Sequence, residues 1–203
     1  RLIDDPTTCR RIATAAHSAM ALRPSGARHG AAYAATLESP IGEAELPAPD
    51  FNDVLHRLRS QALAGMPTGV DRMLSVGCAG RWYFDWIEAA YGPVSEHVGI
   101  EYFSPKPDDL PGYATWIADT ASNMASIADA SADMLFSGQN IEHLWPVDVV
   151  GFLAESNRVL RQGGTIVVDS PNRIVTERLG WSQPEHTIEF TADEIIELLG
   201  LAG

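Results

Sequence analysis

Residues 72–80, Arg-Met-Leu-Ser-Val-Gly-Cys-Ala-Gly, constrain this chain more than any other stretch. A short apolar run ends in Gly77 and Gly80 and passes directly into helix-compatible sequence. This is how a buried parallel strand turns tightly into a helix while leaving the backbone of the turn open to a ligand. Glycine at those two positions permits positive φ or close backbone approach, and Ala79 keeps the turn small.

The same rhythm repeats downstream. Strands are expected at 73–76, 97–101, 114–118, 133–136 and 165–169, with helices at 82–91, 149–160 and 191–199. Pro105, Pro107 and Pro111 argue against a crossover helix between the second and third strands. Thr191 with Glu194 forms a capping-box pattern at the start of the last helix. Strands alternating with helices imply an α/β fold, doubly wound, around a mostly parallel sheet with right-handed crossovers. Upstream, 6–22 and 51–64 read as helices separated by a loop rich in proline and glycine. The expected organisation is a helical cover over 1–70 and a ligand-binding domain over 71–203.

Charge and composition narrow the partners. The net charge is −13 and the arginines are scattered, so a polyanionic nucleic acid is disfavoured. Cys9 and Cys78 form neither a disulfide framework nor a Cys-x-x-Cys pair, which suits a reducing cytoplasm. No apolar run approaches the ~20 residues that span a bilayer. There is no signal peptide at the start as given, although the sequence begins without Met.

Ligands on such sheets bind beyond the carboxyl ends of the strands. There Gly77 and Gly80 offer backbone, and Glu101 follows the second strand about twenty residues later, where a carboxylate can hold both hydroxyls of a ribose. Asp119, after the third strand, is placed to accept from an adenine amine. Strand ends often carry acids for solubility alone, but both acids in register with a glycine turn point to a nucleoside. A nicotinamide dehydrogenase would want Gly-x-Gly-x-x-Gly, and here the third glycine is missing.

In order, Leu-Ser-Val-Gly-Cys-Ala-Gly, Val-Gly-Ile-Glu, Ala-Asp, Ala-Asp-Met-Leu-Phe-Ser with Glu-His-Leu, and Arg-Val-Leu-Arg-Gln-Gly-Gly-Thr-Ile-Val-Val-Asp resemble the class I S-adenosylmethionine-dependent methyltransferases, over about residues 72–200. The resemblance implies a Rossmann-like fold, with Gly77, Cys78, Ala79 and Gly80 at the methionine end of the cofactor, Glu101 at the ribose, Asp119 at the adenine and Ser137 beside the sulfonium. Ser75, Ala79 and Arg81 depart from the family pattern, which has an acid at the first position and glycines at the others. The family continues beyond its last helix with an antiparallel strand hairpin, which this sequence does not reach.

The chemistry is sought after the fourth strand. If Gln139–Leu144 is helical, Gln139, Glu142 and His143 share a face at i, i+3 and i+4. His186 lies in the loop after the fifth strand, and both segments open on the cofactor edge. Two readings stay open. His143 or His186 is a general base for an acceptor hydroxyl, or Gln139, Glu142, His143 and His186 hold Mg²⁺ or another divalent metal that polarises the acceptor oxygen. The second arrangement is similar to the Glu-x-x-Glu-His plus distant His of the Hen1-type small-RNA 2′-O-methyltransferases, with Gln139 replacing a charged ligand. The expected reaction is O-methylation of a small molecule or saccharide, with Trp145 and Trp181 available to stack on a ring. A homodimer is compatible with this reading. RNA 2′-O-methylation and a non-catalytic binding module of the same fold are the alternatives.

Overall fold

The structure is a computed structural model that describes residues 51–203. The expectations for 6–22 and for the loop after it lie outside the described residues. Helix α1, Phe51–Ala64, leads into β1, Arg72–Val76, and α2, Arg81–Tyr91. Then come β2, Glu96–Ile100; β3, Ala114–Ile117; and β4, Ala132–Gly138. A 3₁₀ turn at Ile141–His143 precedes α3, Pro146–Val159, and β5, Leu160–Asp169. Two further helices, α4 at Arg173–Leu179 and α5 at Ala192–Ala202, complete the described residues.

All five strands are parallel, in the order β3-β2-β1-β4-β5. Val76, Ile100, Ile117, Gly138 and Asp169 therefore end on one edge of the sheet, where the expected crevice lies. The sheet is covered on both faces, and successive β1 side chains alternate between them. Leu74 and Val76 pack with Val149, Phe152, Leu153 and Leu198 of α3 and α5. Met73 packs with Leu63 of α1 and Tyr83, Phe84, Trp86 and Ile87 of α2. This period of two is why a single residue carries each strand's chemistry at its end.

As Pro105, Pro107 and Pro111 argue, no helix joins β2 to β3, and none joins β3 to β4. The β3–β4 segment is instead fastened to α3. Glu155 accepts from Met124 N at 2.7 Å, Arg158 donates to the Ile127 and Met124 carbonyls at 2.7 and 2.9 Å, and Ser122 Oγ donates to Asp148 at 2.9 Å. A Cβ on Gly151 would lie 2.8 Å from Ser122 Cβ, so glycine lets this loop close on the helix. Helix α4 is an addition to the elements expected from the sequence. Asn172 caps it, accepting from Ile174 N at 3.1 Å, and Gly180 ends it in the left-handed region. Finally, β5 begins at Leu160, but its regular pairing with β4 starts at Met134–Thr165, after an irregularity. Among the described residues no helix is long and apolar enough to cross a membrane.

Ser75 is fully buried, and its Oγ lies 2.7 Å from His97 Nε2. Phe84 meets the His97 ring edge-on with centroids 4.6 Å apart. Burial lowers the His97 pKa from 6.5 to about 4. A depressed pKa means stability that is whole above the unfolded value and is lost as pH falls from about 6.5 through about 4. The loss is on the order of 3 kcal/mol in full. Proton NMR of the imidazoles should show His97 still neutral at pH 5; a His97 titrating near its ordinary value would refute this.

Candidate functional site

The turn after β1 is built around Gly77, whose φ is +75°. A Cβ there would come within 3.0 Å of Asn140 Oδ1, so the position needs glycine for both its backbone and its space. Cys78 points into the core, and burial pushes its thiol up to about 12. It can contribute only backbone to a ligand. Ala79 is exposed at φ +38°, a left-handed conformation that costs a side chain about 1–2 kcal/mol. Gly80 N donates to Cys78 O, which closes the turn.

Glu101 sits directly beyond β2 and is only 8% exposed. Its Oε1 accepts from Phe103 N at 2.7 Å and Ser104 N at 3.0 Å, and Oε2 faces Ala79 N at 3.3 Å. One carboxylate thus joins the β1 and β2 turns. Asp119 is half-buried beyond β3 and accepts from Ser126 N at 3.0 Å. Ser137, fully buried near the end of β4, accepts from Asn140 Nδ2 at 3.2 Å. Asn140 therefore bridges the β1 and β4 turns, a role its sequence context does not suggest. These residues fit a nucleoside amino acid along the sheet edge, with acceptors toward β2 and β3 and open backbone at β1. Tyr102 and Phe103, 61% and 92% exposed, follow Glu101 directly.

The histidine cluster assembles differently from the helical face expected at 139–144. The segment is a single 3₁₀ turn, so Gln139 does not share a face with Glu142 and His143. Gln139 has φ +53° and its Nε2 donates to Asp169 Oδ1 at 2.7 Å. That bond commits its amide nitrogen to β5 and away from Glu142 and His143. What brings His186 in is the carbonyl of Glu142. It accepts from Thr187 N at 2.8 Å, Ile188 N at 3.2 Å and Thr187 Oγ1 at 3.0 Å. One ligand atom from each of Glu142, His143 and His186 lies within 4.8 Å of the others.

Both rings leave Nε2 available. His143 Nδ1 lies 3.2 Å from the Glu185 carbonyl and so carries its proton. His186 Nδ1 lies 2.7 Å from Glu189 Oε1. Such carboxylate or carbonyl partners orient imidazoles that bind a metal or a proton through the other nitrogen. Glu142 is fully buried, and neither of its oxygens has a hydrogen-bond partner among the described residues. Burial pushes its pKa up to about 7, opposed by its own backbone N–H, the nearby Ser170 hydroxyl and His186. A buried carboxylate grouped with two imidazoles, one ligand atom of each within 4.8 Å of the others, is an arrangement a cation could satisfy. Trp181, 41% exposed, meets His186 edge-on at 5.6 Å. Trp145 is 67% exposed on the other flank.

Residues 74–168 match the methyltransferase domain family. A Mycolicibacterium smegmatis protein named a probable S-adenosylmethionine-dependent methyltransferase is 34% identical over 152 residues, which is 73% of this chain. The chain belongs to the class I S-adenosylmethionine-dependent methyltransferase family. It spans 57% of that relative's length. Among solved structures, an S-adenosylmethionine-dependent methyltransferase from Archaeoglobus fulgidus is similar at a TM-score of 0.56 and 19% identity, over 76% of this chain and 74% of that one. The [4+2]-cyclase SpnF is similar at 0.54 and 18%, over 74% and 58%. These methyltransferase-fold likenesses concern the fold alone, and the cyclase shows that the fold by itself does not name a reaction.

Proposed function

We propose that this methyltransferase chain transfers the methyl group of S-adenosylmethionine to a hydroxyl of a small molecule or saccharide. Bound at the sheet edge, the cofactor supplies an activated methyl on a good leaving group, so the protein's work is alignment and proton management. Gly77, Cys78, Ala79 and Gly80 would hold the methionine end through backbone, Glu101 the ribose and Asp119 the adenine. Ser137 and Asn140 would border the reacting end. The domain division at about residue 70 is part of the same proposal.

The observation that carries the hydroxyl reading is the cluster of Glu142, His143 and His186, with its buried, unpartnered carboxylate. A neutral amine needs little proton handling, whereas a hydroxyl must lose its proton or be polarised. A divalent ion held by these residues would supply Lewis-acid polarisation of the acceptor oxygen. Two imidazoles and one carboxylate suit Zn²⁺, Co²⁺ or Fe²⁺ better than Mg²⁺, which prefers oxygen ligands. A second reading is favoured by one contact: the His186–Glu189 pair at 2.7 Å is the geometry of a base held by its orienting carboxylate. In either case Trp181 offers a face for a sugar or aromatic ring beside the reacting hydroxyl.

Asp119, Glu185 and Glu189 are acids with exposed or half-buried side chains beside these loops. A polyanion gains nothing from them, which weighs against the RNA alternative. The test is release of S-adenosylhomocysteine from protein dialysed against EDTA, offered a panel of saccharide and phenolic hydroxyls, before and after adding Zn²⁺, Co²⁺, Mn²⁺ or Mg²⁺. Turnover restored by a transition ion is the expected result. Full turnover in EDTA would leave His186 as base and remove the metal. Absence of cofactor binding at millimolar concentration would sink the enzyme reading in favour of a binding module.

A further inference from the structure

Arg59, on α1 and ahead of the family match, makes an unexpected connection. Its side chain is only 9% exposed, and Nε pairs with Asp169 Oδ2 at 3.0 Å, at the end of β5. The guanidinium lies over Trp86, 4.5 Å from the ring centroid, which fixes its approach. It reaches Asp169 by passing Gly138. A Cβ there would collide with Nη2 and lie 2.8 Å from the Tyr83 hydroxyl. The last residue of β4 thus has no side chain where the arginine crosses.

Asp169 is also the anchor of the reacting turn. Its Oδ1 accepts from Gln139 Nε2 at 2.7 Å and from Gln139 N at 3.2 Å, and its carbonyl accepts from Gln139 N at 2.9 Å. Gln139 is the left-handed residue that starts the turn leading to Glu142 and His143, and Asp169 holds it from both side chain and backbone. We infer that Arg59 is a positioning residue: by holding Asp169, it fixes the Gln139 conformation that sets the Glu142–His143 turn against His186. The charges facing Asp169 and its turn are Arg59 from α1, Glu142 from the turn and the histidines beyond it. The arginine balances the carboxylate from the face of the sheet opposite α3 and α5.

This inference deepens the proposed reaction in what the cluster is for, but its test reads the cluster directly. Long-range ¹H–¹⁵N spectra of the imidazoles, at a pH where both are neutral, report which nitrogen carries the proton. In the wild type both His143 and His186 should show a single Nδ1–H tautomer. Arg59→Met keeps the stem over Trp86 and removes the guanidinium. It should cost His143 that single tautomer, giving mixed or broadened signals, while His186 stays held by Glu189 in its own loop. Asp169→Asn should do the same and serves if the arginine variant fails to fold. Arg158→Met, which loosens the β3–β4 loop instead, is the control for general destabilisation and should leave His143 unchanged. Wild-type His143 signals in both Arg59→Met and Asp169→Asn, or loss of the tautomer in Arg158→Met as well, would reduce Arg59 to a structural ion pair. Wild-type protein inactive on every hydroxyl would count against the proposed reaction and not against this result.

Discussion

Glu142→Met protein should melt higher than the metal-free wild type at pH 8 and, with the activating ion present in both, turn over at least about 100-fold more slowly. The two effects share one cause. Glu142 is fully buried, with both oxygens unpartnered among the described residues and its pKa raised from 4.5 to about 7. A raised carboxyl pKa means that stability is whole below the unfolded value and is lost as pH rises through the folded one. Above pH 7 the wild type therefore carries a buried, ionised carboxylate, at a cost on the order of 2–3 kcal/mol. Methionine fills nearly the same volume with no polar atom to satisfy. The gain in melting temperature should be roughly 5–10 °C at pH 8 and should shrink toward pH 5. A residue that destabilises the protein where it is charged, and whose removal stops turnover, is retained for its chemistry. A variant no more stable at pH 8 than at pH 5, or one with wild-type turnover, would contradict this.

Glu101→Ala should weaken S-adenosylhomocysteine by about 100-fold, measured by calorimetry. A carboxylate holding ribose hydroxyls makes charge-assisted bonds of about 1.5–3 kcal/mol each, and about 1.4 kcal/mol is a factor of ten. Part of the loss is preorganisation, because the same carboxylate holds Phe103 N, Ser104 N and Ala79 N and so fixes two turns of the crevice. Glu101→Gln keeps one acceptor oxygen and should fall between the two. If Glu101→Ala bound S-adenosylhomocysteine as the wild type does, the ribose assignment would be wrong and the residue would be only a loop anchor.

The crevice at the strand ends is legible in the residues, the cluster of Glu142, His143 and His186 only in part. Gly77, Glu101 and Ser137 can be read because each stands at or just beyond the end of an apolar run, and the run itself announces the strand. The turn carrying Glu142 has helical spacing in its sequence yet is not an α-helix. Asn140 must bridge to Gly77 and Ser137, and Gln139 must turn to Asp169. Those contacts stand where an α-helical turn would otherwise form. Helix α4 is hidden by its brevity and its β-branched Ile174, Val175 and Thr176, and it exists through its Asn172 cap and its packing. Arg59 gives no signal at all, since an arginine on an amphipathic helix normally reads as a solvated position.

By itself the sequence determined the α/β class, the parallel strands and the edge on which their chemistry falls, because hydrophobic periodicity is a local property written into neighbouring residues. Tertiary structure alone decided which side chains meet there. His143 and His186 converge through the Glu142 carbonyl, Gln139 turns away to Asp169, and Arg59 reaches Asp169 from the other face of the sheet past a bare Gly138. Each of these rests on a hydrogen bond or a close approach between residues far apart in the chain, where strand order and the space around each side chain fix the partner and no local pattern records it.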